Sequence, residues 1–330
     1  MLKVMANQYL CLVIIALLSS GHPSYLHAQQ PPCTITNCLN TGRLGDQLIT
    51  YAKVKWLAYK HDLKVLYQPF KYSDQFVFDD VEQVCTPEKR AQFASVVDLG
   101  YNPIDELNVV NKDGVLYSVF LYYKDSSSPS PSRYSDQLIL EPWAENDVQF
   151  LHELRNLIKP KKPLATVTPA GNCISVAVHI RRGGGYDVPG CLTSWALKFP
   201  PDHYYVEQLK MISEMFNDQP LYVHIFTDDT DPVGLLEKYR QAVNKENIVF
   251  ACRDTENHYD KNVLEDLFSM ANFDCLIRSD SSFSIIAQLL TDHAVVTFPT
   301  VYTLRNGQAV IEKVSVLVDE NRKQDLLAKY

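Results

Sequence analysis

The chain has 330 residues, a formal net charge of −8, 46% hydrophobic residues and 21% charged residues. That length allows one large domain or two ordinary ones at roughly 100–200 residues each. The acidic balance excludes a general nucleic-acid binder, which is ordinarily basic, so an anionic ligand would have to be met by a local basic pocket.

At the N-terminus Lys3 precedes a nine-residue apolar run, Leu10 to Leu18. A run of that length suits the apolar region of a secretion signal, whereas a membrane span needs roughly 20 residues. Residues 1–28 are expected to be a signal peptide cleaved after Ala28, or else the uncleaved anchor of a type II membrane protein. Either way the body would be exported or would face a secretory lumen. No N-x-S/T sequon is present. Without Cys11 seven cysteines remain, an odd number. Cys173 and Cys191 bracket a glycine-rich loop, and the residues alone leave open a bridge there or buried free thiols. No cysteine pair has zinc-finger spacing, and no metal is expected.

Thr41 to Gln47 is a glycine turn that leads into a helix-like run, Leu48 to His61, and Lys64 to Tyr67 reads as a strand. Residues 70–150 are rich in tyrosine, phenylalanine and aspartate without a clear period, and Lys124 to Arg133 is a polar surface loop. A helix-like run from Asp147 to Ile158 ends at Lys159-Pro160-Lys161-Lys162-Pro163, which suits a linker. This places an N-terminal domain at 39–165, a C-terminal domain at 172–312 and a tail at 313–330. The second half is more regular. Strands are expected at 174–180, 221–226, 247–252, 274–278 and 294–298, with helices between them at 203–216, 233–243, 263–273 and, after the Ser279 to Ser284 cluster, in a run to Leu290. Such alternation implies a parallel, doubly wound sheet.

Three polar clusters each follow one of these strands: His179 to Arg182, Asp228-Asp229, and Ser279 to Ser284. Open α/β sheets bind ligands beyond the carboxyl ends of their strands. Guanidinium forks pair with phosphate oxygens in a bidentate way. Gly183, Gly184 and Gly185 would let backbone amides approach an anion. Ser281 and Ser282 open a helix, where amides and the dipole favour phosphate, although Ser281 also suits a plain N-cap. Together these groups describe a diphosphate clamp. Asp228 and Asp229 could accept hydrogen bonds from a base or ribose, hold an arginine, or bind a metal, for which a lone Asp-Asp pair is a weak signal. His179 could contact a base or sugar, or simply pack at a strand end. The absence of a Walker A sequence and of G-x-G-x-x-G after a strand argues against an NTPase and a dinucleotide oxidoreductase.

In the order of these motifs the chain resembles the α-1,2-fucosyltransferases and the related α-1,6- and protein O-fucosyltransferases. His179-Ile180-Arg181-Arg182-Gly183 is similar to their H-x-R-R-G-D, and Gly42-Arg43-Leu44-Gly45-Asp46-Gln47 to G-G-L-G-N-Q. Phe226-Thr227-Asp228-Asp229 is similar to F-S-D-D, and Ser279-Asp280-Ser281-Ser282-Phe283-Ser284 to S-N-S-S-F-S. The four motifs span residues 42–290. The resemblance implies a GT-B-like α/β fold with two Rossmann-like doubly wound domains facing a cleft. It also implies GDP-fucose as donor, a galactoside or other glycan hydroxyl as acceptor, inversion at the anomeric carbon, and no required metal. Carried over, Arg182 would be the main diphosphate contact with Arg181 supporting it. His179, Gly183, Asp228, Asp229, Ser281, Ser282, Gly45 and Gln47 would form the donor side. Asp187 and Asp46 are candidate catalytic bases. The chain departs from the pattern at Arg43, Asp46 and Asp280, and its aspartate after the arginines, Asp187, arrives three residues late. A non-catalytic glycan- or nucleotide-binding protein on the same scaffold, or a transferase with another nucleotide sugar, are the alternatives.

Overall fold

The structure is a computed structural model that describes residues 30–38, 42–99, 109–119, 147–169, 171–183 and 191–330. The expected signal or anchor, the polar loop at 124–133 and Asp187 lie outside the described residues.

Two sheets organise the chain. The first has five strands: β1 (Thr34–Asn37), β2 (Lys64–Tyr67), β3 (Gln83–Val84), β4 (Ser95–Leu99) and β5 (Val115–Val119). They lie in the order β3-β2-β1-β5-β4, all parallel. Helix α1 (Leu44–His61) follows β1, and α2 (Val148–Leu157) comes later in the chain. The second sheet has six strands: β6 (Ile174–Ile180), β7 (Leu221–Thr227), β8 (Ile248–Cys252), β9 (Cys275–Ile277), β10 (Val295–Arg305) and β11 (Gln308–Val318). Their order is β11-β10-β9-β6-β7-β8, parallel except for the β10–β11 pair. Between them run α3 (Asp202–Met215), α4 (Pro232–Val243), α5 (Val263–Met270) and α6 (Ser282–Leu289), and α7 (Glu320–Lys329) closes the chain. The segment between α2 and β6 carries no helix or named strand among its described residues.

The pleat of β6 divides the core. Ile174, Val176, Val178 and Ile180 pack in one apolar cluster with Tyr204, Tyr205 and Leu209 of α3 and Leu236 and Tyr239 of α4. Ala177 faces the other way, into a cluster with α5 and α6. That second cluster does not stop at the sheet's own helices. It continues through Ile285, Ile286 and Leu289 of α6 into Leu48, Tyr51, Ala52 and Val54 of α1, Ile35 of β1 and Phe150 of α2. One apolar core therefore runs through both halves, and α1 is buried on most of its circumference. Arg155 of α2 reinforces the join: its Nε donates to Leu289 O at 2.8 Å, and its other nitrogens fork onto Asp292 at 3.1 and 2.6 Å.

The last strand pair differs from the expectation. The strand expected to end at Phe298 runs to Arg305 and returns along β11, paired from Val295–Val318 to Arg305–Gln308 with an irregularity between Pro299 and Tyr302. Asn306 and Gly307 at the tip both have positive φ, 52° and 75°. That is the conformation a two-residue hairpin turn needs and one that Asn-Gly adopts readily. The boundary expected at 312/313 thus falls inside a strand, and residues up to Val318 belong to the sheet. Cys33, Cys38, Cys85, Cys252 and Cys275 are free thiols, while the side chain of Cys191, and with it the bridge considered for Cys173, is outside the described residues.

Three histidines are buried in the fold. Burial, aided by the charges of Arg181 and Arg278, lowers the pKa of His179 to about 3. Burial likewise lowers His224 and His293 to about 4 each. All three are neutral in the folded chain, whereas an unfolded histidine binds a proton below about 6.5. The unfolded state therefore takes up protons first, and stability should fall as pH drops from about 6.5 towards 4. Urea midpoints across that range should decline, and replacing His293 with Gln should flatten the decline. A midpoint that holds level from pH 6.5 to 4.5 would contradict this account.

Candidate active site

The carboxyl ends of the two sheets face each other. In the six-stranded sheet the chain turns back between β6 and β9, and in the five-stranded sheet between β1 and β5. Crevices at such switch points are where open α/β sheets bind ligands. Each is followed by a helix start, α1 after β1 and α6 after β9, so two helix N-termini with their favourable dipoles meet at one place. Their approach is close. A Cβ on Gly45 would stand 2.4 Å from the backbone N of Phe283 and 2.8 Å from the carbonyl carbon of Ser282, so this position accepts only glycine. Across the same seam Ser282 Oγ donates to Asp46 Oδ1 at 2.6 Å.

A cleft of about 460 Å³ opens at this junction, a size suited to a small-molecule or cofactor ligand. Of the residues expected at the site, Gly45, Gln47, His179, Arg181, Asp228, Ser281 and Ser282 line it, as does Asp46. Ser281 has extended backbone at the N-cap of α6, yet its side chain makes no capping bond, contrary to the plain-cap reading. Gln47 is buried and its Nε2 donates to Gly42 O at 3.2 Å, which shapes the glycine turn. His179 is 7% exposed, and its Nδ1 has no hydrogen-bond partner among the described residues.

The two arginines part company, for a reason rooted in the pleat. Successive residues of a strand project to opposite faces. Arg181 continues the face of Ala177 and His179 and enters the cleft. Its side chain is 11% exposed, with Nε 3.9 Å from Asp228 Oδ2 and the guanidinium 5.7 Å from the Phe199 ring centroid. Arg182 continues the face of Ile180 and turns away, towards α3 and α4. Its Nη2 donates to Asp202 Oδ1 and to Tyr239 Oη, the latter at 3.3 Å, and Nη1 donates to Arg181 O at 3.2 Å. Arg182 is not among the lining residues. Arg182 was expected as the main diphosphate contact with Arg181 supporting it; in this structure Arg181 lines the cleft and Arg182 faces α3 and α4.

Asp228 also has a definite task. Its Oδ1 accepts the backbone N–H of Arg182 at 2.6 Å and of Gly183 at 3.0 Å. It holds the backbone of the arginine loop while lining the cleft. Gly183 and Asp229, both expected on the donor side, lie outside the lining. Asp229 instead shapes the turn into α4, where its N–H donates to Thr227 Oγ1 at 3.1 Å and its Oδ1 accepts Asp231 N–H at 2.9 Å.

The residue-level reading missed several groups. Asp266 lines the cleft from α5 and accepts Arg253 Nη2 at 2.8 Å; burial raises its pKa, opposed by that arginine. A carboxylate inside the apolar run Val263 to Phe273 was the available signal. At the mouth, Arg43 stacks 4.3 Å from the Tyr259 ring centroid and Tyr72 Oη donates to Asp260 O at 3.5 Å, both across the two halves. Lys71, Lys198 and Lys261 also line the cleft. Together with Arg43 and Arg181 they set five cations against Asp46, Asp228, Asp260 and Asp266. On a chain of net charge −8, the lining thus carries a formal excess of one positive charge.

No protein-family model matches the chain, and no curated protein matches it in sequence. Solved structures do match. An arginine-to-lysine mutant of Arabidopsis thaliana FUT1 in complex with GDP aligns at 13% identity and a TM-score of 0.53, over 86% of this chain and 74% of that one. NodZ α-1,6-fucosyltransferase soaked with GDP-fucose aligns at 13% identity over 88% and 100% of the two chains, and POFUT1 in complex with GDP at 13% over 81% and 96%. Their TM-scores of 0.43 and 0.42 are too low to bear on the argument. Two parallel α/β sheets with facing switch points, and the alignment with FUT1, establish that this chain has a GT-B-like fold of two Rossmann-like domains facing a cleft.

Proposed function

We propose that this protein is an inverting glycosyltransferase that moves fucose from GDP-fucose to a hydroxyl of a glycan acceptor. The observation that carries the reading is the convergence of Arg181 with the N-termini of α1 and α6 in one cleft. These are the groups that stabilise a departing diphosphate, because they already point where the negative charge develops. The four motifs in the order found in fucosyltransferases, and the fold similarity to FUT1 in complex with GDP, support GDP-fucose as donor. Asp266, whose Oδ1 is on Arg253, has Oδ2 left to accept an N–H of guanine.

Among the cleft carboxylates, Asp228 is taken up by backbone amides, Asp266 by Arg253 and Asp260 by His258. Among the described residues, the Asp46 carboxylate is held only by a serine hydroxyl, on Oδ1. It is our candidate base: the acceptor hydroxyl would give its proton to Asp46 as its oxygen bonds to the anomeric carbon and GDP leaves with the old bond's electrons. Replacing Asp46 with Asn should lower transfer by about 10²–10⁴-fold while GDP affinity changes little. An Asp46→Asn enzyme with wild-type kcat would remove it from this role.

The resemblance to the α-1,2-fucosyltransferases, whose motif order the α-1,6- and protein O-enzymes share, is our ground for α-1,2 linkage to a galactoside, and Leu10 to Leu18 for work outside the cytoplasm, free or anchored. The test is GDP release by purified protein from GDP-fucose and from other nucleotide sugars, with and without galactoside acceptors and with EDTA. Acceptor-stimulated release from GDP-fucose alone, unaffected by EDTA, is expected, since Arg181 and the helix ends offset the diphosphate without an added ion. GDP binding without turnover of any donor would instead show a binding protein on this scaffold.

A further inference from the structure

Arg182 is held by a constellation that the proposed chemistry does not yet use. Asp202, the first residue of α3, lies on the side of the arginine loop away from the cleft. Its Oδ1 accepts both Arg182 Nη2 and the Tyr239 hydroxyl, the latter at 2.7 Å, and its Oδ2 accepts Lys238 Nζ. Burial alone would raise its pKa, but the hydrogen bond from Lys238, the Arg182 charge and the Tyr239 hydroxyl together hold it below the ordinary carboxylate range. Asp202 is thus ionised and fully engaged. Arg182 closes the arrangement by donating Nη1 back to the carbonyl of Arg181.

The loop is pinned on two sides. Asp228 grips its backbone at the amides of Arg182 and Gly183, and Asp202 grips the side chain of Arg182. Arg181, the residue just before both fixed points, lines the cleft. We infer that Asp202, acting through Arg182, is a positioning residue that fixes the guanidinium of Arg181 against the donor's diphosphate. This rests on the proposed function and deepens it. The pleat decides which arginine faces the cleft, and Asp202 converts the other into a tether. A guanidinium held from behind loses less freedom on meeting an anion than one on a loose loop, and a misplacement of about 1 Å at such a site can cost on the order of 10²-fold in rate.

The test uses the whole protein with three variants, Asp202→Asn, Arg182→Ala and the double variant. Asp202→Asn should lower kcat for transfer by about 10- to 100-fold with donor KM within about threefold and the unfolding temperature close to wild type. Backbone amides of residues 179–183 should exchange faster. Because the two residues act as one tether, the double variant should be no slower than the worse single one. Tyr239→Phe, which removes one ligand of Asp202 and leaves the carboxylate, should show the same pattern more weakly. Wild-type kcat in Asp202→Asn, or losses that multiply in the double variant, would overturn the inference, as would a kcat loss that merely follows loss of folded protein. GDP affinity of the wild type and of Arg181→Ala separates this from the reading beneath it. If the wild type fails to bind GDP, or Arg181→Ala binds it equally well, the assignment of the cleft fails; if that contrast stands, the Asp202 result judges the tether alone.

Discussion

Arg181→Ala should lose transfer by about 10²–10³-fold, the loss typical when one preorganised donor to a developing anion is removed. GDP binding should weaken with it, because a buried fork facing phosphate contributes to ground-state and product binding alike. The fold should survive. Asp228, the carboxylate beside Arg181, keeps its two backbone N–H donors, so the change leaves no orphaned buried charge. Arg181→Lys should rescue little, since an ammonium cannot offer two parallel N–H groups to one phosphate. Removing Arg182 should act only through the loop and so cost less than removing Arg181. Steady-state kinetics with GDP-fucose, beside calorimetric GDP titrations of the same variants, checks the order. Full activity in Arg181→Ala would remove the arginine from the site, whatever Arg182 does.

Gly45→Ala is the second change with a large expected effect, and the smallest substitution with one. The added methyl would meet backbone atoms of Phe283 and Ser282, which cannot rotate aside as a side chain would. Relief requires α1 and α6 to separate at their N-termini, the point where both helix ends address the cleft. Overpacking of this kind typically costs about 1–3 kcal/mol, which for a chain of this length means a fall of several degrees in unfolding temperature. The rate loss should exceed what that instability explains, reaching about 10²-fold, because the two helix ends lose their mutual placement. A thermal scan and a turnover assay on one preparation would show it. Unchanged values in both would mean that the helices do not touch as described.

The parts of the fold that the sequence revealed are those buried on both faces. Residues 174–180 were expected as a strand, and β6 has those bounds, because a parallel strand covered on both sides reads as an unbroken apolar run. The first half lacked that contrast. β3 has two residues, and Ser95 to Asp98 of β4 are exposed at the sheet edge, so neither produces a period. Val115–Val119 is fully buried, but in the linear reading it was lost within an aperiodic stretch. Asn306-Gly307 between alternating residues was a legible hairpin signal that the short strand expected at 294–298 obscured. At the site, the opposite directions taken by Arg181 and Arg182 were also within reach. A period of two places Arg181, not Arg182, on the face of His179; emphasis on the motif's second arginine hid this. No local rule could have shown Asp202 or Tyr239, which reach the loop from 20 and 57 residues away through tertiary packing.

The core that runs from β1 through α1 into α5 and α6 bears on how ligands come and go. Enzymes built from two facing lobes often admit substrate by swinging on a hinge. Here such a swing would have to tear apart a single close-packed interior, strip Gly45 from its seat and break the Arg155 fork. The other contacts across the two halves at the cleft, Arg43 on Tyr259 and Tyr72 on Asp260, are ones that side-chain rotations can undo. On the proposed function, a ligand would then be admitted by side-chain rotation at the rim rather than by a swing of the two halves.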